Sequence, residues 1–133
     1  MITRFLHARI RVNDLEKSMA FYRDVLGLKQ GNLWKSPEGM TLVFFLVPVG
    51  DETVEIEICH EPDAPPVVVP PNFAHLAFQV ENLEAFTKFS TSKGYPIFDG
   101  PYDTGWGQIF SYLKAPDGHV IEVIEKYTHT RTA

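Results

Sequence analysis

The feature that most limits how this chain can fold is a stretch that occurs twice. His7-Ala-Arg-Ile-Arg-Val-Asn-Asp-Leu-Glu is echoed by His75-Leu-Ala-Phe-Gln-Val-Glu-Asn-Leu-Glu. Counted from each histidine, valine falls five residues on (Val12, Val80), Asp14 or Asn82 seven on, leucine eight on (Leu15, Leu83) and glutamate nine on (Glu16, Glu84). Phe21 and Phe89 also correspond. Each copy closes on a strand-like run with glutamate inside it, Val54-Glu55-Ile56-Glu57-Ile58 and Val120-Ile121-Glu122-Val123-Ile124. Solenoids need several repeats of about 20–50 residues. Two longer copies fit a duplicated half-domain instead. A histidine opening each module and a carboxylate closing it can together build a two-His, two-Glu metal site.

Local patterns fill in the modules. Leu6, Ala8, Ile10 and Val12 alternate with His7, Arg9 and Arg11, the period of a half-buried strand whose polar face carries the histidine. Asp14 is a good N-cap, and Leu15, Met19, Tyr22 and Leu26 succeed it at helical spacing up to Gly27. Then come Leu33-Trp34, a turn at Pro37-Glu38-Gly39, an apolar run from Thr41 to Val47, a turn at Pro48 to Gly50 and a strand from Thr53 to Cys59. The second module repeats the order: a strand around Leu76, Phe78 and Val80, a helix capped by Asn82 and ended by Gly94, and strands near 108–114 and 119–125 joined by Pro116-Asp117-Gly118. Residues 61–72 hold five prolines and predict a stiff, extended connector. The tail from Thr128 to Ala133 is polar and is expected to fray. Each module therefore reads as strand, helix, then about three strands. We expect one α+β domain over residues 1–133, with module one at about 1–60 and module two at about 73–127.

Composition narrows the function. A net charge of −5, with no block of like charge, argues against nucleic acid, which requires a basic face. One cysteine, Cys59, excludes an internal disulfide framework and fits a reducing compartment. The arginine-interrupted N-terminus lacks a signal-peptide core, and no run reaches the roughly 18 apolar residues of a membrane span. A soluble cytoplasmic protein is expected.

The candidate chemistry lies in His7, His75, Glu122 and one glutamate of the 54–58 run. A lone histidine is more often a surface or hydrogen-bonded residue, but here two occupy corresponding places. Glu122 has apolar neighbours on both sides, which requires pairing, protonation or a metal. A salt bridge to an arginine from another strand is the alternative. Strand parity leaves Glu55 and Glu57 both open. Two imidazoles and two carboxylates suit Zn, Ni, Co, Fe or Mn. Arg9 and Arg11 share the face of His7, where they either attract an anionic substrate or pair with an acid. His60, His119 and His129 read as turn or surface residues. Cys59 reads as a buried structural thiol, and Trp34, Phe44, Trp106 and Phe110 either wall a pocket or fill the core, with core filling the default. The sequence has no P-loop, Rossmann glycine pattern or Gly-x-Ser-x-Gly elbow.

On these landmarks the chain resembles the vicinal oxygen chelate superfamily, the group of glyoxalases, bleomycin-resistance proteins and extradiol dioxygenases. The resemblance rests on the stretch from His7 through Phe21-Tyr22 to Leu28, on His75-Leu-Ala-Phe-Gln-Val80, and on Pro116-Asp-Gly-His-Val-Ile-Glu122-Val123. It implies two βαβββ modules forming a cupped mixed sheet around a metal. The glyoxalase I branch is the most similar, and its bacterial metal set falls on His7, Glu57, His75 and Glu122. The family's hydrophobic-Glu-hydrophobic strand matches Ile56-Glu57-Ile58, which selects Glu57 over Glu55. The resemblance further implies a homodimer with shared sites, in which His7 and Glu57 meet His75 and Glu122 of the other copy.

The chemistry implied is conversion of a 2-oxoaldehyde–glutathione hemithioacetal, formed from methylglyoxal, into a 2-hydroxyacyl thioester. A divalent ion stabilises an enediolate while Glu122, assisted by Glu57, moves the proton. Arg11 matches an arginine that holds a glutathione carboxylate, with Arg9 beside it. One departure stands out. Where the branch has a Leu-Thr-x-Asn-type run, this chain has Ile58-Cys59-His60-Glu61, and Glu61 is expected to repel an anion. Other branches of the superfamily offer alternatives: epimerase, dioxygenase, transferase, or a non-catalytic resistance protein that sequesters a small molecule.

Overall fold

The computed structural model describes residues 1–70, 72 and 74–127. It divides into two compact units, Met1–Val68 and Val69–Ala133. Their boundary falls inside the proline-rich connector.

The first unit runs β1 (His7–Arg11), α1 (Leu15–Ala20), β2 (Lys29–Lys35), β3 (Thr41–Val49) and β4 (Glu52–His60). Its four strands form one sheet in the order β1-β4-β3-β2, with β1 parallel to β4 and the other pairs antiparallel. The second unit repeats this with β5 (Leu76–Val80), α2 (Leu83–Ser92), β6 (Asp99–Asp103), β7 (Gln108–Lys114) and β8 (Val120–Lys126), ordered β5-β8-β7-β6. Each unit is the βαβββ module expected from the repeat. The caps are also as expected. Asp14 accepts a hydrogen bond from Lys17 N at 3.0 Å, and Asn82 accepts one from Ala85 N at 2.8 Å. Each satisfies a backbone N–H that the first helical turn leaves without a partner.

In each sheet the helix side is apolar. Val43 faces Ile58 and Phe45 faces Ile56 across β3 and β4, and all four are buried with Ile10, Phe21 and Tyr22. In the second unit Leu113 faces Ile121 across β7 and β8, both fully buried. The side chains between these point to the opposite face (Phe44 and Glu57 in the first unit, Tyr112 and Glu122 in the second), because strand side chains alternate.

Several local expectations change. The first helix widens after Ala20 into a π-helical turn over Phe21–Val25, where Leu26 N donates to Phe21 O at 3.0 Å. The wider turn shifts the angular position of the residues beyond it. The buried stripe becomes Ser18, Phe21, Tyr22 and Val25, while Leu15, Met19 and Leu26 are only half-buried. Strands β2 and β6 extend well beyond what the sequence suggests. Both are edge strands with a register irregularity, between Gln30 and Leu33 and between Asp99 and Tyr102, so neither shows a clean alternation.

The described residues of the connector hold no helix or strand. Asn13 ties it to the first unit, donating to Val67 O at 3.0 Å and accepting from Val67 N at 2.6 Å. His119 lies in the turn before β8, one of the two places expected for it, and is buried there rather than at the surface. His129 and the tail from Thr128 to Ala133 lie outside the described residues. No described helix is long and apolar enough to cross a membrane.

Candidate functional site

Register decides what surrounds each glutamate. In the first unit Glu57 lies opposite Arg9 on one flank and Phe44 on the other. In the second, Glu122 lies opposite Ala77 and Tyr112. Both histidines stand two residues before the flanking strand partner (His7 before Arg9, His75 before Ala77), so each reaches its glutamate on the diagonal. His7 Nε2 lies 3.6 Å from a Glu57 carboxylate oxygen, and His75 Nε2 lies 3.2 Å from Glu122 Oε1. The repeat therefore becomes two pairs of like geometry, one in each unit, each an imidazole nitrogen beside a carboxylate. Among the described residues no three His, Cys, Asp or Glu side chains form a metal-ligating group.

The pairs differ in their third partner. Arg9 donates from Nε to Glu57 Oε1, forming an ion pair. The Glu57 side chain is 4% exposed and that of Arg9 48%, so one charge is buried and its counter-ion sits at the rim. The guanidinium is held above its ordinary value, chiefly by the hydrogen bond to Glu57. Glu122 has no such cation opposite it. It is hydrogen-bonded to the Tyr112 hydroxyl, and the Tyr112 ring also meets that of His75 edge-on at 5.5 Å. Burial, and then this hydrogen bond, push the Tyr112 phenol up.

This arrangement revises two points. The sequence points to Glu122 as the unusually buried acid, with an arginine as its alternative partner. Its side chain is 13% exposed, and the more deeply buried acid, with the arginine, is Glu57. Tyr112 is a site residue that the sequence reading misses. Aligning the modules by register would find it, since it occupies the place of Phe44 and adds a hydroxyl aimed at the carboxylate.

Arg11 turns toward the connector. Its Nε lies 3.8 Å from Glu61 Oε1, and its Nη2 donates to Pro65 O at 3.4 Å. Glu61, expected to repel an anion, offsets the charge of Arg11. Cys59 is fully buried with Sγ 3.6 Å from Glu61, and burial pushes its thiol up, as suits a structural cysteine.

The two tryptophans do not fill the core. Trp34 is 49% exposed and Trp106 78%. Leu33, Trp34, Leu42 and Phe44 border a cavity of about 590 Å³, into which the first sheet presents Phe44 from the same face as Glu57. In the second unit Phe98, Tyr102, Phe110 and Tyr112 stack as a run of ring contacts 5.6–6.5 Å apart between centroids. Each polar pair thus has an apolar wall beside it, the usual make-up of a small-molecule site.

Fold and site together define a paired-module protein that presents one imidazole–carboxylate pair per βαβββ unit. Residues 4–123 match the family model for the Glyoxalase/Bleomycin resistance protein/Dioxygenase superfamily, and the chain belongs to that superfamily. Curated relatives include a lactoylglutathione lyase of Neisseria meningitidis, 35% identical over 128 residues and 92% of this chain and 91% of the relative. Another is the lactoylglutathione lyase of Salmonella typhimurium, 33% identical over 125 residues and 92% of each chain. Among solved structures, the trypanothione-dependent glyoxalase I of Leishmania major superposes with a TM-score of 0.79 at 27% identity, covering 93% of this chain and 87% of that one. Maize glyoxalase I gives 0.81 at 23% identity, covering 98% of this chain and 45% of the longer maize chain, a likeness of fold.

Proposed function

We propose that the protein is a metal-dependent lyase of the glyoxalase I type, isomerising a 2-oxoaldehyde–glutathione hemithioacetal to a 2-hydroxyacyl thioester. The observation that carries this reading is the duplicated pair, His7 with Glu57 and His75 with Glu122. Two neutral nitrogens and two anionic oxygens match a borderline divalent ion such as Ni, Zn, Co, Fe or Mn in donor type and charge. A four-ligand set requires one pair of each kind to meet. By resemblance this happens in a homodimer, with His7 and Glu57 of one copy facing His75 and Glu122 of the other. A lone buried thiol at Cys59 is in keeping with a cytoplasmic setting.

A bound ion supplies Lewis acidity for the negative charge that develops on the substrate oxygens. The remaining chemistry falls to the chain. A Glu122 carboxylate oxygen takes the proton from the hemithioacetal carbon and returns it to the neighbouring carbonyl carbon. The residue opposite it on β5 is Ala77, and Tyr112 donates a hydrogen bond that orients it. Glu57, paired with Arg9, serves mainly as an anionic ligand and a secondary base. The aromatic rings beside each pair offer an apolar wall to the substrate. Each arginine already faces a carboxylate, Arg11 that of Glu61 and Arg9 that of Glu57; Arg9, half-exposed beside Glu57, is the one placed to meet an anionic group of the substrate.

The test is thioester formation from methylglyoxal and glutathione by metal-loaded protein, together with elemental analysis. About one divalent ion per site is expected, lost in His7→Ala and Glu122→Gln. No turnover by fully loaded protein would reject the lyase, and no metal uptake would reject the centre. The Arg11–Glu61 pair favours a second reading, a thiol conjugate whose corresponding end carries no carboxylate. Turnover with such a thiol but not with glutathione would select it.

A further inference from the structure

We propose that the second unit carries a binding site for a small apolar amine on the face of its sheet opposite Glu122, in the cavity between α2 and strands β6 and β7. The cavity measures about 640 Å³, within the ordinary size of a small-molecule pocket. Its lining includes Leu83 and Thr87 of α2, Ile97 before β6, Ile109 and Ser111 of β7, and Glu125 of β8. Ile109 pairs with Glu125 and Ser111 with Val123, so these side chains alternate with Tyr112 and Glu122 and point the other way. The cavity shares a sheet with the His75–Glu122 pair but no lining residue with it, and the proposal stands whether or not the lyase reading does.

The first module fills the corresponding space. There Phe21, Tyr22 and Phe45 are buried between helix and sheet, with successive ring centroids 5.2 and 5.9 Å apart. Counted from the histidines, Phe89 and Ser90 stand where the first module has Phe21 and Tyr22. Helix α2 is regular through Ser92, Phe89 is 45% exposed, and Ser90 brings no ring. By the same count Thr87 takes the place of Met19. By register Ser111, facing Val123, takes the place of Val43, which faces Ile58. Each of these last two changes removes apolar volume and adds a hydroxyl.

The polar groups of the cavity select its occupant. Ser111 is 1% exposed, and its Oγ has no hydrogen-bond partner among the described residues, which is costly until a partner arrives. Glu125 Oε1 accepts from Leu83 N at 2.8 Å, which holds the carboxylate at the start of α2. Glu84 and Lys88 pair at 3.3 Å and offset one another, so Glu125 gives the lining its net negative charge. Leu83, Ile97 and Ile109 supply apolar walls. An ammonium group donates to the carboxylate and the hydroxyl, while an apolar body lies against the walls. A carboxylate in the same place would meet Glu125 as a like charge.

The test is amide NMR of the purified full chain, titrated with 2-phenylethylamine and separately with phenylacetate, two probes of like size and opposite charge. The amine should shift the amides of Leu83, Thr87, Ile109 and Ser111 with a Kd on the order of 1 mM, in keeping with so small a ligand. Phenylacetate should bind at least about tenfold more weakly. Glu125→Gln keeps an oxygen for Leu83 N and should weaken the amine about tenfold without weakening phenylacetate. Thr87→Met, which copies the first module, should narrow the cavity and abolish the shifts, with the rest of its spectrum unchanged as the check on folding. No saturable shifts at millimolar amine would overturn the proposal. So would shifts centred on His75, Tyr112 and Glu122, or equal affinities for the amine and the acid. An amine affinity unmoved by Glu125→Gln, or by a folded Thr87→Met, would overturn it as well.

Discussion

Replacing Tyr112 with phenylalanine removes one oxygen atom, and the structure indicates what that oxygen does. The same ring without a hydroxyl already stands at the equivalent register in the first module, as Phe44, so the substituted side chain fits a sheet of this kind. A hydrogen bond to a charged group contributes roughly 1.5–3 kcal/mol. Here the figure is reduced twice. Glu122 keeps His75 as a partner at 3.2 Å, and its side chain is 13% exposed, so water recovers part of the loss. The net cost is about 1 kcal/mol. With an unfolding entropy of roughly 2.1 cal/mol/K per residue, this lowers the melting temperature by about 3–4 °C. The same energy applied to the placement of Glu122 lowers kcat about fivefold and leaves KM unchanged. Differential scanning calorimetry and steady-state kinetics on metal-loaded protein make the two measurements. An unchanged melting temperature together with unchanged kcat would refute the coupling between Tyr112 and Glu122. A loss beyond about a hundredfold would also refute it, since a positioning hydrogen bond is too weak to account for that.

His119 predicts a pH dependence. Burial holds its pKa below the ordinary 6.5, with Asp117 partly opposing. Above pH 6.5 both folded and unfolded states are neutral there, and nothing is lost. As the pH falls through 6.5 the unfolded chain takes up the proton first, so stability declines until the folded pKa is passed. His119→Gln should flatten the drop in urea midpoint between about pH 7.5 and pH 5, and an equal drop in both proteins would contradict this. Gly100→Ala should destabilise by at least about 1–3 kcal/mol. The backbone there has φ +108°, and a Cβ would stand 2.9 Å from Ser111 Oγ and 3.1 Å from Phe110 O. A midpoint within error of wild type would refute that estimate. Cys59, buried with its thiol pushed up by desolvation, should resist iodoacetamide in the native protein and react fully in urea, and equal rates would rule out the buried thiol.

Much of the fold is legible in the sequence because local rules encode it. Alternation marks β1, β4 and β8. Asp14 and Asn82 mark both helix starts, and glycines in the left-handed region, Gly27 and Gly94, stand just past the helical segments they are expected to end. Edge strands β2 and β6 are harder to see. One face of an edge strand need not be buried, and a bulge breaks the period on which the reading depends. The π turn after Ala20 is invisible for a related reason. Spacing assumes 3.6 residues per turn, and nothing in Phe21-Tyr22 announces that both rings will be drawn under the sheet. His119 reads as a turn residue because it comes directly after Pro116-Asp117-Gly118, yet the turn folds it inward.

The repeated histidine module, read alone, determined two units of strand, helix and about three strands and one histidine on the polar face of each, while the choice of Glu57 over Glu55 came from the family resemblance. These properties arise from periods of about 2 and 3.6 residues and from caps, all of them features of short segments. Only the tertiary structure decided who stands beside each glutamate. Arg9 and Arg11 are equivalent by alternation, yet parallel register sets Arg9 against Glu57, while the path of the connector draws Arg11 to Glu61. Tyr112 meets Glu122 because β7 and β8 pair in one register and no other. Pairing of this kind depends on strands distant in sequence, and a shift of one residue would turn every side chain to the opposite face. The two-fold pattern of the sequence thus becomes two unlike pairs, one carboxylate held by a guanidinium and the other by a phenol.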